Sequence, residues 1–317
     1  MAKVIKFLLK ALFVGACLLY AFWGLNWSDF AESFSRFQTV PMLVILLVSC
    51  TLPFAVMSLR FSFLTGHAAD WFTSLKASVL CLGLNNIFPA KLGEVAKAFY
   101  VRRKCDISLG QGLGMIFWER FADLNCLLAM GVISAMTLQK NFALIPLLAI
   151  VGGLWVCILA LRFFPALGQL LTRFIPSERL KLLFAEIIHQ LQTRMSPGFF
   201  FKLSVYSIVF WTANLSVSML TLAWVGQLSL SMSQMLTVFV VVTLGFAMPS
   251  SPGGLGVVEA GFVLSLGWFG VSKAEALALA IYFRFLSFVP PTLGALVIMA
   301  KSGLSMKGLR QQGEETL

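Results

Sequence analysis

The sequence predicts an all-α integral membrane protein of about six spanning helices, with two oppositely oriented re-entrant broken-helix hairpins forming an inverted repeat. Three observations lead there. Of the 317 residues, 59% are hydrophobic, and the mean hydropathy is +0.90. Charged residues make up 12%, about half the share of a soluble domain. Two apolar regions are each interrupted by helix-breaking residues, "NNIFPAKLGE" and "PSSPGGLG".

A helix needs about 20 apolar residues to cross a bilayer. Segments 7–26, 42–64, 112–138, 142–163, 199–226 and 274–300 have that length. Regions 75–100 and 234–270 do not, because the breakers leave pieces of sub-spanning or barely spanning length. The N-terminal "MAKVIKFLLKALFVGACLLYAFW" begins like a signal peptide. Its apolar run continues past Cys17, which favours an uncleaved first helix. The stretch 164–198 is amphipathic at helical spacing and divided by Pro176. It either lies on the inner membrane surface, with its basic residues against anionic headgroups, or packs on the protein as a helical loop. The whole chain reads as one membrane domain, 1–317, with repeats at 75–138 and 234–300.

The net charge of +11 flanks apolar segments, the pattern of cytoplasmic loops and not of a nucleic-acid surface. The basic start puts the N-terminus inside. "NWSDFAESFSRFQTV" is poor in basic residues and lies outside, and helix 42–64 returns inside near Arg60. Arg102, Arg103 and Lys104 also belong inside, so region 75–100 enters from the cytoplasm and returns to it. The tail carries Lys301, Lys307 and Arg310 and belongs inside as well. Region 234–270 then enters and leaves from the opposite side. A topology in which both regions span fully, as two helices each, keeps the same charge sides and remains open.

The broken regions resemble each other. "PAKLGE" at 89–94 and "PGGLGVVE" at 252–259 both read P-x-x-L-G followed by an acid. "ISLGQGLGMIFWERF" at 107–121 aligns without gaps to "VSKAEALALAIYFRF" at 271–285, placing Arg120 opposite Arg284. Pro89, Pro249 and Pro252 remove backbone donors and stop a helix. Gly93, Gly253, Gly254 and Gly256 permit tight turns. Inverted repeats with broken helices suit transporters, whose exposed helix ends meet substrate near the bilayer midplane.

Ionisable groups at bilayer depth cost at least roughly 2.5–3.5 kcal/mol each, so they mark cavities or partners. Arg120 and Arg284 are candidate phosphate contacts, since a guanidinium presents five donors in a fork. Lys91 is either a third such contact or an interfacial lysine snorkelling to headgroups. Glu94, Glu259, Glu119 and Asp123 are candidates for proton coupling or counter-charge. Their plainer role is in buried ion pairs that fix helix packing. Glu94 can pair with Lys91 or Lys97; Glu259 and Arg284 can pair with each other, or each with the other repeat. Asn85 and Asn86 can satisfy backbone groups freed by the first break. Six scattered cysteines form no C-x-x-C pair, and His67 and His189 show no metal spacing. No metal or cofactor is expected.

The motifs "NNIFPAKLGEVAKAFYVRR", "WERFAD", "PSSPGGLGVVE" and "YFRF" resemble the transmembrane-region family of lysylphosphatidylglycerol synthases, which includes the flippase half of bacterial multiple peptide resistance factors. The resemblance covers nearly the whole chain. It implies a bacterial inner-membrane protein that moves lipids, with Glu94 and Glu259 as motif acids and Arg120 and Arg284 as the arginines that follow. A stand-alone member without the aminoacyl-transferase domain is expected, so the synthase activity does not carry over.

The function expected is therefore a flippase for an anionic phospholipid or lipid-linked phosphate, with membrane lipids as partners and no nucleic acid. The alternatives are a non-transporting partner of a lipid-modifying enzyme, or an enzyme acting on lipid-linked phosphates. The last fits least, because the chain shows no Asp-x-Asp pair and no nucleophile–base set.

Overall fold

The computed structural model describes residues 2–88, 91–138, 144–173, 175, 177–247 and 252–302. Every regular element among them is helical: α1 (Ala2–Phe22), α2 (Trp27–Ser35), α3 (Thr39–Leu64), α4 (Trp71–Ile87), α5 (Leu92–Lys104), α6 (Leu109–Leu138), α7 (Leu144–Phe163), α8 (Ala166–Arg173), α9 (Glu178–Thr193), α10 (Pro197–Leu220), α11 (Met232–Ala247), α12 (Val257–Gly267) and α13 (Lys273–Ser302). A π-turn at Thr221–Val225 extends α10, and a short 3-10 turn, Pro252–Gly254, precedes α12.

Three described stretches are long and apolar enough to cross a bilayer: Thr39–Leu64, Pro197–Val225 and Lys273–Ser302. Two bent pairs, Ala11–Phe22 with Trp27–Ser35 at 79° and Leu148–Phe163 with Ala166–Arg173 at 107°, raise that number to five. Helix α6 is 30 residues long, about 45 Å at 1.5 Å per residue, but carries Glu119, Arg120 and Asp123. Each of the six expected spanning segments overlaps a described helix, although α1 ends at Phe22 and residues 142 and 143 lie outside the described residues. The external loop expected at 26–40 is in part the helix α2, capped where Asn26 Oδ1 accepts from the Ser28 amide.

Both interrupted regions are helix pairs folded back on each other: α4 packs against α5, and α11 against α12. Asp70 caps α4, accepting from the Thr73 amide at 2.8 Å. Hydrogen bonding from Thr73, hydroxyl first and amide second, holds the Asp70 carboxyl below the usual carboxylate range. Helix α5 has Glu94 in its first turn and Arg102, Arg103 and Lys104 in its last, matching its dipole at both ends. Across the molecule α4 packs on α13 and α11 on α6. In lipid such contacts depend on close approach more than on apolar burial. A Cβ on Gly83 would lie 2.3 Å from the Pro291 carbonyl, so α4 and α13 touch backbone to backbone.

In the 164–198 stretch, α9 docks on α6 beside Gly110 and Gly114. Glu186 accepts from the Ser108 hydroxyl at 2.6 Å and the Gly110 amide at 3.2 Å. This face of the amphipathic segment is therefore committed to the protein, while Leu182 and Phe184 remain exposed. Pro176 lies outside the described residues.

Candidate functional site

The site begins at the two breaks, which share a left-handed residue at one matched position and differ at the motif glycines, Gly93 being helical and Gly256 having φ 83°. Lys91 precedes α5 in the left-handed region, with φ 55°. Its counterpart Gly254 has φ 67°. Two residues on, the motif glycines have their amides capped: Gly93 N–H donates to Asn85 Oδ1 at 2.9 Å, and Gly256 N–H to Glu259 Oε2 at 2.8 Å. Asn86 Nδ2 reaches across to α13, lying 3.1 Å from the Ser287 carbonyl and 3.3 Å from that of Phe288. Pro291 has no N–H to give Ser287, so Asn86 supplies a missing donor. The asparagines thus satisfy backbone groups at and across the breaks. Pro89 and Pro249 lie outside the described residues; Pro252 lies in the short turn before α12.

The acids and arginines of the two repeats pair in matched fashion but with unequal grip. Arg284 holds Glu259 in a fork: Nε meets Oε1, and Nη2 meets Oε2 at 2.8 Å. It also donates to the Gly253 and Gly254 carbonyls, at 3.1 Å each. Arg120 Nε lies 3.5 Å from Glu94 Oε1 and makes no hydrogen bond among the described residues. Arg120 Nη1 lies 3.2 Å from Asp123 Oδ2. The Arg120 side chain is 40% exposed and that of Arg284 17%.

Behind Arg120 lies a buried ion network. Asp123 Oδ1 accepts from Arg60 Nη1 at 2.6 Å and from Trp211 Nε1 at 3.0 Å. Lys97 Nζ donates to Glu119 Oε2 at 2.7 Å and sits 3.6 Å from the centroid of the Phe61 ring. Arg60 Nη2 is 3.6 Å from Glu119 Oε1. Lys97 therefore pairs with Glu119, leaving Glu94 to Arg120. Arg60 is a correction to the sequence reading, which used it as a flanking cytoplasmic cation. It is fully buried, paired with Asp123 and stacked near Phe210. The available signal was a lone Arg inside an otherwise apolar helix.

One cavity of about 710 Å³ is lined by both breaks. Phe88, Lys91 and Glu94 come from the first, and Pro252, Gly253 and Gly254 from the second. Arg120, Asn85 and Asn214 add polar groups. Phe54, Phe210, Trp211, Phe239 and Phe246 supply aromatic wall. The structure thus brings Lys91, Glu94 and Arg120 to the cavity, with Asp123 and Glu119 behind them. Arg284 and Glu259 are not part of its lining; they clip the second break from behind. Lys91 has no ion-pair partner among the described residues.

A helical membrane protein with two broken helix pairs around a polar-and-aromatic cavity is the class these observations define. The chain belongs to the family described as the lysylphosphatidylglycerol synthase TM region, whose model matches residues 7–295. It is also similar to a UPF0104 membrane protein of Methanocaldococcus jannaschii, 28% identical over 221 residues, covering 65% of this chain and 88% of that protein.

Proposed function

We propose that this protein is a transporter, not an enzyme, and that it moves an anionic phospholipid or lipid-linked phosphate across the bacterial inner membrane. One observation carries the reading: a single cavity joins both breaks and presents the half-open Arg120 and the unpaired Lys91 among aromatic walls. A phosphate suits these two cations, and the walls suit the adjoining lipid. The headgroup enters the cavity while the acyl or isoprenoid tails stay in the bilayer.

The inverted-repeat reading has independent support. The left-handed residues Lys91 and Gly254, the capped amides of Gly93 and Gly256, and the Glu94–Arg120 and Glu259–Arg284 pairs all fall at matched positions. The crossings of α4 with α13 and of α11 with α6 are those that a two-fold exchange of the repeats requires. On this reading the folded-back pairs are re-entrant hairpins opening to opposite sides, and both termini are cytoplasmic. The six spans are α1, α3, α6, α7, α10 and α13. The partners are membrane lipids with anionic headgroups, and a lipid-modifying enzyme that makes or consumes the cargo is a natural neighbour.

The test is scrambling of a fluorescent phosphatidylglycerol in proteoliposomes. Wild-type protein should accelerate its movement, and Arg120→Ala should slow it about tenfold or more, the loss of a charge-assisted contact. An Arg120→Ala protein as fast as wild type would remove the phosphate role; an inactive wild type would remove the transport reading.

A further inference from the structure

We infer that the first break reads headgroup charge: its cargo is a lipid phosphodiester with a single negative charge, and Lys91 and Glu94 set that preference. This inference rests on the transport reading above and specifies its substrate.

The argument is a charge balance around one cavity wall. Lys97 is committed to Glu119 at 2.7 Å and Arg60 to Asp123 at 2.6 Å. Arg120 divides its guanidinium between Asp123 at 3.2 Å and Glu94 at 3.5 Å. These three cations and three carboxylates balance. The Arg284–Glu259 fork on the second break is also balanced. Lys91 remains, held at the start of α5 by a left-handed backbone, lining the cavity without a carboxylate partner among the described residues. The wall therefore carries one positive charge in excess.

A phosphodiester monoanion, bridging Lys91 and the open side of Arg120, brings that sum to zero. A phosphomonoester near its second ionisation, or a diphosphate, leaves the wall negative. A zwitterionic headgroup leaves the excess where it was, and the one carboxylate among the described residues that line the cavity, Glu94, already faces Arg120. Among aromatic walls a mismatch of one charge is less screened than in water, so it discriminates between headgroups. Glu94 and Lys91 are the adjustable members of the sum, because both line the cavity, whereas Glu119 and Asp123 do not and are tied to the buried Lys97 and Arg60.

Native mass spectrometry of the full chain tests this with an equimolar mixture at pH 8 of phosphatidylglycerol, phosphatidylethanolamine and phosphatidic acid bearing identical acyl chains. At that pH phosphatidic acid is close to a dianion. Wild-type protein should retain phosphatidylglycerol over each of the others by about tenfold. Glu94→Gln, which raises the excess to two, should shift the preference to phosphatidic acid. Lys91→Gln should leave phosphatidylglycerol no better than phosphatidylethanolamine, and Lys91→Arg should keep the wild-type order. An order unchanged in both Glu94→Gln and Lys91→Gln would overturn the charge rule while leaving transport standing. A wild-type protein that retains no lipid would overturn both readings. Displacement of the lipid by an equal concentration of water-soluble glycerophosphoglycerol would show that the ligand is a free phosphodiester and overturn the lipid assignment.

Discussion

Arg284 Nη2 lies 2.8 Å from Glu259 Oε2 and 3.1 Å from the Gly254 carbonyl, so one guanidinium closes over both an acid and the backbone of a broken helix. At the matched position, Arg120 and Glu94 approach only to 3.5 Å. The same pair of residue types is a clip in one repeat and a loose contact in the other.

That difference should be measurable as coupling. Arg284→Gln and Glu259→Gln should each destabilise the detergent-solubilised protein by about 3–5 kcal/mol, because each strands a buried charge. Combined, they should cost less than their sum, with a coupling of about 1–3 kcal/mol. The cycle for Arg120→Gln and Glu94→Gln should give under about 1 kcal/mol, since exposure weakens that pair. Equal coupling in the two cycles, read from denaturation midpoints, would contradict the asymmetry.

Lys91→Gly separates charge from backbone. A non-glycine residue in the left-handed region is strained by roughly 1–2 kcal/mol. Glycine should therefore leave thermal stability unchanged or raise it, while removing the unpaired cation from the cavity. Lower lipid retention together with an equal or higher Tm is the expected outcome. A fall in both would mean that the lysine serves the fold.

Gly93 and Gly152 make a controlled comparison. A Cβ on Gly93 would lie 2.0 Å from the Cys81 carbonyl, within the α4–α5 contact, and the backbone must shift to admit it. A Cβ on Gly152, in α7, would meet nothing within 4 Å. Gly93→Ala should cost about 2 kcal/mol or more of stability and lower the Tm clearly. Gly152→Ala should be neutral or raise stability by about 0.5–1 kcal/mol, the ordinary helical gain. Parallel melting curves check the pair.

Asp123 gathers Arg60, Arg120 and Trp211 from three helices. Asp123→Asn keeps the shape but leaves two arginines short of a counter-charge, and should cost about 3–5 kcal/mol. Trp211→Phe removes one hydrogen bond to the same oxygen and should cost about 1 kcal/mol. Similar losses for the two, measured by chemical denaturation, would show that the charge of Asp123 is not what matters.

Much of this was legible in the chain because lipid simplifies the rules. Clustered breakers such as "PAKLG" end a helix where a single proline such as Pro53 does not, and both helix pairs part where the sequence placed the clusters. The asparagines beside the first break do the backbone work that their position suggests. The Glu259–Arg284 pair was one of two pairings open in the sequence; Lys273, Glu275 and Lys301 lie at the ends of α13, so Arg284 is the cation at mid-helix within reach of Glu259. Partner choice within a crowd was not legible. Glu94, Lys97, Glu119, Arg120 and Asp123 lie at spacings that allow several pairings, and helix packing selects among them. Arg60 reads as a cytoplasmic flanking charge because one arginine in the last turns of a helix looks the same in sequence whether it faces headgroups or a buried carboxylate. The folding-back of α9 onto α6 likewise depends on Glu186 meeting an amide on another helix.

The seam between α4 and α13 has a practical consequence. Gly83 lets the helices touch, and Asn86 fastens to the carbonyls of Ser287 and Phe288 beside the paired prolines of α13. Two helices so joined share one trajectory, although one opens the first broken pair and the other closes the second repeat. A spectroscopic probe on the outer face of α13, at Leu293 or Leu296 where the side chains are exposed, would therefore record the displacement of the first hairpin. The cavity-lining residues would remain unlabelled and free to bind.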